Sequence, residues 1–294
     1  MRYLIPVAVA ALAFAGCSAG TNLNPTGPGA SQPQTQGEAI QQSRPQPTAT
    51  PAPTPAPTPT SSLTGRIVYT LSGLHIYNVA TRADVSLGIS GVNPKFSPDG
   101  TLITYQNGGI YVMNSDGTNN RLLNAAGGVP SFDPTGTMIV YSNGGIWRIN
   151  VDGTGRTQLT NTGIMPTYSP DGTQISYNAA AGNGQQLFIM NADGTNAHQA
   201  LTTSGSILDT VWRPGSKILF GMGGLYSYDP FTPAIPPTQL AAGGFEPSWS
   251  PDATHISWTN GTSGKSAGIW IMNADGTGQQ GPVIVKGRQG SWGP

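Results

Sequence analysis

Pro94-Lys95-Phe96-Ser97-Pro98-Asp99-Gly100-Thr101-Leu102-Ile103-Thr104-Tyr105, continued by Asn107-Gly108-Gly109, Ile110-Tyr111-Val112-Met113 and Asn114-Ser115-Asp116-Gly117-Thr118, reads as a run of short strands joined by tight turns. Pro98 presets φ for a turn and Gly100 tolerates positive φ, so the chain reverses after Phe96. Leu102 to Tyr105 alternates with period two, as a half-buried strand does. Asn107-Gly108-Gly109 suits a primed hairpin turn, which needs residues that accept positive φ. Ile110 to Met113 is the third strand, Asn114 to Thr118 turns again, and Arg121-Leu122-Leu123 is a short fourth strand.

The same phrase recurs along the chain. Its mark is an aromatic-x-Pro step at Phe96-Ser97-Pro98, Phe132-Asp133-Pro134, Tyr168-Ser169-Pro170, Trp212-Arg213-Pro214, Trp249-Ser250-Pro251 and Trp292-Gly293-Pro294, with successive spacings of 36, 36, 44, 37 and 43 residues. A period of about 40 with four strands per unit is that of a β-propeller blade. The second strand recurs with Tyr69, Tyr105, Tyr141, Tyr177, Phe220 and Trp258, and the third with Ile76-Tyr77, Ile110-Tyr111, Ile146-Trp147, Leu187-Phe188, Leu225-Tyr226 and Ile269-Trp270. Each set has six members. The first copy, Arg66 to Ile89, lacks an innermost strand, while Gly290-Ser291-Trp292 is an innermost strand with nothing after it. The sequence therefore predicts an all-β, six-bladed propeller over residues 63–294, whose C-terminal strand completes the first blade and leaves only short edges exposed.

Tyr168-Ser169-Pro170-Asp171-Gly172-Thr173 with Ile189-Met190-Asn191-Ala192-Asp193-Gly194-Thr195, and the copies at Phe96 to Thr118 and Trp249 to Thr277, resemble the WD40-like (PD40) repeats of the TolB propeller family over about residues 65 to 294. The resemblance implies six blades and a periplasmic setting. Members of that family belong to the Tol-Pal envelope system and bind a peptidoglycan-associated lipoprotein. This chain departs from them ahead of the propeller, where a low-complexity segment stands in place of an α/β domain.

Residues 1–16 read as a lipoprotein signal peptide: Met1-Arg2 is basic, Leu4 to Ala15 is a short apolar run, and Phe14-Ala15-Gly16 leads into Cys17. Cys17, the only cysteine, stands where a lipobox places the residue that is acylated, and a single thiol excludes an intramolecular disulfide. Residues 17–62 are a Thr/Pro-rich tether expected to be disordered. Its stretch from Pro45 to Thr60 would span roughly 50 Å as polyproline II. Ser18 after the cysteine favours the outer membrane where a cell has one, and the lipid anchor implies the bacterial cell envelope, facing the periplasm or the cell surface.

Composition narrows the partners. Charged residues make up 9% of the chain, with 13 basic and 13 acidic side chains and no net charge. Neither a phosphate-binding stripe nor a polybasic membrane patch can be assembled from so few, which excludes nucleic acid as an expected partner. Strand alternation sends Asp99, Asp171, Asp252, Asp116, Asp152, Asp193 and Asp275 to one face, where Asp before Gly is expected to bond its own turn, one per blade and too dispersed to share a calcium ion. His75, His198 and His255 fall in different blades without metal-ligand spacing. Ser263-Gly264-Lys265-Ser266 lacks the first glycine and the helix of a phosphate loop. No catalytic, cofactor or metal residue is assigned, and no cofactor is expected.

The opposite face varies more between repeats. Four residues before each aromatic mark stand Val92, Gly128, Ile164, Leu208, Phe245 and Arg288, followed by Asn93, Val129, Met165, Asp209, Glu246 and Gln289. Both sets are expected to ring the mouth of the central channel. Leu208, Asp209, Phe245, Glu246 and Arg288 are the candidate contacts for an envelope protein or peptide, with the membrane engaged through acylated Cys17 and the protein a monomer. The sequence thus points to a lipid-anchored propeller acting as a protein-binding or scaffold module and not as an enzyme. The alternative is a propeller enzyme or carbohydrate-binding protein with its site at the channel mouth, for which Asp209 and Glu246 would be the acid–base pair.

Overall fold

The computed structural model describes residues 63–294 except 183, 214, 216 and 262, so the signal peptide, the tether and Cys17 lie outside the described residues. Among the described residues 24 strands form six four-stranded antiparallel sheets, and no helix is present. The first blade holds β1 (Arg66–Thr70), β2 (Leu74–Asn78) and β3 (Asp84–Ser86). The second is β4 (Val92–Phe96), β5 (Leu102–Gln106), β6 (Ile110–Asn114) and β7 (Arg121–Asn124); the third is β8 (Gly128–Phe132), β9 (Met138–Ser142), β10 (Ile146–Asn150) and β11 (Thr157–Gln158). The fourth is β12 (Ile164–Tyr168), β13 (Gln174–Ala181), β14 (Gly184–Asn191) and β15 (His198–Leu201). The fifth is β16 (Leu208–Trp212), β17 (Ile218–Gly221), β18 (Leu225–Tyr228) and β19 (Thr238–Ala241), and the sixth is β20 (Phe245–Trp249), β21 (His255–Asn260), β22 (Gly268–Asn273) and β23 (Gln280–Val285).

The last strand, β24 (Arg288–Gly293), returns to the first blade and gives the sheet order β24-β1-β2-β3. Its register on β1 pairs Gly293 with Arg66, Trp292 with Ile67 and Ser291 with Val68. Arg66 fastens this seam twice: Nε donates to the Pro294 carbonyl at 2.8 Å and Nη2 to the Gly100 carbonyl of the second blade at 2.8 Å. The innermost strands β24, β4, β8, β12, β16 and β20 then neighbour one another in a closed circle around a central channel.

The hydrophobic core is divided into six parts, each lying between two adjacent blades. The aromatic of every aromatic-x-Pro step is the wedge that enters the gap towards the preceding blade. Trp292 lies with Ile269 and Ile271 of the sixth blade as well as Ile67 and Tyr69 of its own, and Phe96 lies with Val68 and Leu74 of the first. The second-strand aromatics Tyr69, Tyr105, Tyr141, Tyr177, Phe220 and Trp258 are buried beside them. Chain entry into an inner strand passes flat over that ring: a Cβ on Gly163, at φ 105°, would fall 2.6 Å from Tyr177 Cδ2. The fifth blade alone has a side chain at this position, the buried Ile207.

In four of the six aromatic-x-Pro steps the middle residue pins the turn. Ser97, Ser169 and Ser250 Oγ accept the amides of Leu102, Gln174 and His255, each at 2.9 Å, and Asp133 Oδ1 accepts that of Met138 at 2.8 Å in the third blade. The Asp-Gly turns are held as their sequence predicts, since a carboxylate can accept the amide two residues on. Asp116 Oδ1 accepts the Thr118 amide at 2.9 Å, and Asp152, Asp193 and Asp275 do the same for Thr154, Thr195 and Thr277. Hydrogen bonds from the threonine side chain and amide hold these four carboxyls below their ordinary pKa. They are engaged by their own turns.

Candidate functional site

The second residue of every inner strand adopts a left-handed backbone: Asn93 at φ 53°, Val129 at 50°, Met165 at 55°, Asp209 at 55°, Glu246 at 54° and Gln289 at 57°. Each sits where the pairing to the next strand shifts register, as between Val92↔Gln106 and Lys95↔Thr104. Such a bulge takes the amide out of the ladder, and a buried amide must find another acceptor.

All six find it in the preceding blade. The Asn93 amide donates to Gln289 Oε1 at 3.1 Å, Val129 to Gln106 Oε1 at 3.3 Å and Met165 to Ser142 Oγ at 2.9 Å. Asp209 donates to Met165 Sδ at 3.4 Å, Glu246 to Asp209 Oδ2 at 3.4 Å and Gln289 to Glu246 Oε2 at 2.8 Å, which closes the belt. Side chains brace it further, with Gln289 Nε2 donating to Asn93 Oδ1 at 2.7 Å and Thr259 Oγ1 to Glu246 Oε2 at 2.8 Å.

Within the belt opens a channel cavity of about 470 Å³, lined by the inner strands and their aromatic-x-Pro steps. One tier below the belt, the fourth residues of the inner strands are Lys95, Ser131, Thr167, Val211, Ser248 and Ser291. Lys95 on the second blade and Asp209 on the fifth stand three blades apart, on opposite sides of the channel. One arc between them carries Val129 and Met165; the other carries Glu246 and Gln289.

Burial changes both charges. Burial pushes the Asp209 carboxyl up to about 6, with the Glu246 carboxylate adding to the rise and the Glu246 amide, Lys95 and Arg288 opposing it. Burial pulls the Lys95 ammonium below its ordinary value, against the attraction of Asp209 and Glu246. Among the described residues Lys95 has no carboxylate within 4.0 Å. Nor do these residues hold a group of three His, Cys, Asp or Glu side chains able to bind a metal ion.

Comparison with solved structures gives TolB from Acinetobacter baumannii at 21% identity and a TM-score of 0.67, over 78% of this chain and 67% of that one. The chain has a TolB-like six-bladed propeller fold. A chain of the nidogen–laminin complex matches at 13% identity and TM-score 0.64, over 78% and 98% of the two chains. Oligogalacturonate lyase in complex with manganese matches at 15% identity and TM-score 0.50, over 71% and 69%. No protein-family model and no curated protein sequence matches.

In this TolB-like propeller the two sets of mouth residues separate. Asn93, Val129, Met165, Asp209, Glu246 and Gln289 line the cavity, whereas Val92, Gly128, Ile164, Leu208, Phe245 and Arg288 are not among its lining residues. Phe245, Glu246 and Arg288 come together: the Arg288 guanidinium lies 5.6 Å from the Phe245 ring centroid and Nη2 is 3.7 Å from Glu246 Oε1. Asp209 joins them through the Glu246 amide. Leu208 is on the neighbouring fifth blade with 36% of its surface exposed. His75 and Asp84 pair at 3.2 Å within the first blade, away from the channel lining.

Sequence reading missed Lys95, Gln106, Ser142 and Thr259. Gln106, Ser142 and Thr259 sit at the ends of second strands, where residue type alone does not reveal a role in the belt. Lys95 had a visible signal: aligned on the aromatic marks, it is the only charge at a position otherwise filled by Ser, Thr or Val.

Proposed function

We propose that this protein is a binding or scaffold module of the bacterial cell envelope, held to a membrane through acylated Cys17, with its contact surface at the channel mouth. The surface consists of Leu208, Asp209, Phe245, Glu246 and Arg288, and its partner is an envelope protein or peptide. The observation that carries the reading is the pairing of apolar and charged groups at this mouth: Arg288 covers Phe245 and faces Glu246, while Leu208 and Val92 remain exposed beside them. An apolar centre with charges of both signs at its edge is how protein-binding patches are composed. The likeness to a chain of the nidogen–laminin complex, itself a protein–protein assembly, supports the same class of function. A lyase also shares the fold, so fold alone does not choose between binding and catalysis.

A photo-crosslinking side chain placed at Leu208 or Arg288, and for comparison at Thr118 on the opposite face, tests the surface in cells. Adducts to one envelope protein from Leu208 and Arg288 but not from Thr118 are expected. Equal adducts from all three positions, or none, would remove the mouth as the contact surface. For the anchor, Cys17→Ser should release the protein from the membrane fraction, and continued retention would count against acylation.

A further inference from the structure

Two groups in the channel stand out by what they lack. Glu246 is satisfied on every side, since Oε2 accepts the Gln289 amide and the Thr259 hydroxyl while Oε1 faces Arg288. Asp209, opposite Lys95, receives a single long amide bond of 3.4 Å on Oδ2. Lys95 receives no ion pair among the described residues, although it feels both carboxylates. An anion and a cation thus line one cavity from opposite sides without forming an ion pair with each other. Unpaired charges in such a setting are costly, and a ligand that satisfies both removes that cost.

The geometry points to the channel as a binding site for a small zwitterion of the α-amino-acid class bearing an apolar side group. Its carboxylate pairs with the Lys95 ammonium and its ammonium with the Asp209 carboxylate. The Ser131 and Thr167 hydroxyls lie on the Lys95 tier to share the carboxylate, and the arc of Val129, Met165 and Val211 receives the side group. The cavity volume of about 470 Å³ falls in the range of small-molecule pockets. A ligand with one charge leaves the opposite group unpaired, and one without an apolar side group leaves the Val129–Met165 arc wet. This goes beyond the macromolecular contact proposed above, since it uses the channel interior and stands whether or not a protein docks at the rim.

Isothermal titration of the full chain with L-leucine, 4-methylvalerate and isoamylamine tests the inference, the last two being leucine without its ammonium and without its carboxylate. Leucine should bind saturably and at least tenfold more tightly than either analogue. Lys95→Met and Asp209→Asn should each weaken leucine at least tenfold, and Asp209→Asn should leave 4-methylvalerate unchanged. The comparison of the three ligands on the unsubstituted protein decides the matter even where a variant fails to fold. No saturable heat with any of the twenty amino acids up to about 10 mM, well beyond millimolar affinity, would overturn it, as would equal binding of leucine and 4-methylvalerate. Leucine binding that is unchanged in both folded variants would overturn it too.

Discussion

Trp292→Ala should destabilise this protein more than the equivalent change in any other blade for which the indole has no partner. Trp292 and Trp249 hold the same place in their blades and are buried to the same degree, 6% and 7% exposed. Truncating a buried Trp to Ala costs about 3–5 kcal/mol. Trp292 also donates its indole N–H to the Thr64 carbonyl at 2.9 Å, whereas the Trp249 indole N–H has no partner among the described residues. That bond adds about 1 kcal/mol. For a domain of this size about 2–4 °C of Tm accompanies each kcal/mol, so Trp292→Ala should lower Tm by about 8–24 °C and Trp249→Ala by a few degrees less. Trp292→Phe should recover most of the packing and none of the hydrogen bond. Thermal unfolding followed by circular dichroism reads all three, and removal of residues 288–294 should abolish cooperative unfolding. A Tm loss below about 3 °C for Trp292→Ala, or cooperative melting of the shortened chain, would refute the view that β24 closes the ring.

The other expectations concern the channel and the turns. Because Asp209 titrates near 6 when folded and about 3.9 when unfolded, the folded state binds the extra proton; this contribution to stability is full below pH 4 and is lost as pH rises through 6. Asp209→Asn keeps an acceptor for the Glu246 amide and removes the titration, so urea unfolding should show wild type losing up to about 3 kcal/mol relative to the variant between pH 4 and 7; parallel profiles would contradict this. Val129 is a β-branched residue at φ 50°, and Val129→Asn, better suited to a left-handed backbone, should raise stability by about 1 kcal/mol, a result that a lowered Tm would exclude. Ser250→Ala orphans the His255 amide and should cost about 1–3 kcal/mol. Ser250→Asp should cost much less because Asp133 performs that task in the third blade, and equal losses for the two variants would disprove the role of the side-chain acceptor.

The aromatic-x-Pro steps made the blades legible because each residue in them has one local job: the ring wedges between blades, the Ser or Asp accepts an amide, and the Pro sets the turn. Blade count and the return of the final strand to β1 follow from aligning those steps. The belt was not legible, since a bulge is a register event between two strands, and nothing in Val129 or Met165 taken singly announces a positive φ. Glycines such as Gly163, two residues upstream of the bulge, were a usable hint that the backbone lies against an aromatic ring. Asp209 and Glu246 were found because they are rare charges at a variable position. Lys95 was overlooked inside the very repeat that revealed the fold, where its role depends on what faces it three blades away.

The six amides of the belt all point the same way round the axis, so the arrangement has a rotational sense like links in a hoop under tension. A donor lost from one link frees the acceptor of its neighbour and leaves no local place for the slack to end. Blade separation should therefore be a property of the whole circle. The amides of Asn93, Val129, Met165, Asp209, Glu246 and Gln289 should exchange their hydrogens with solvent in concert, and a molecule seated in the channel should slow all six together.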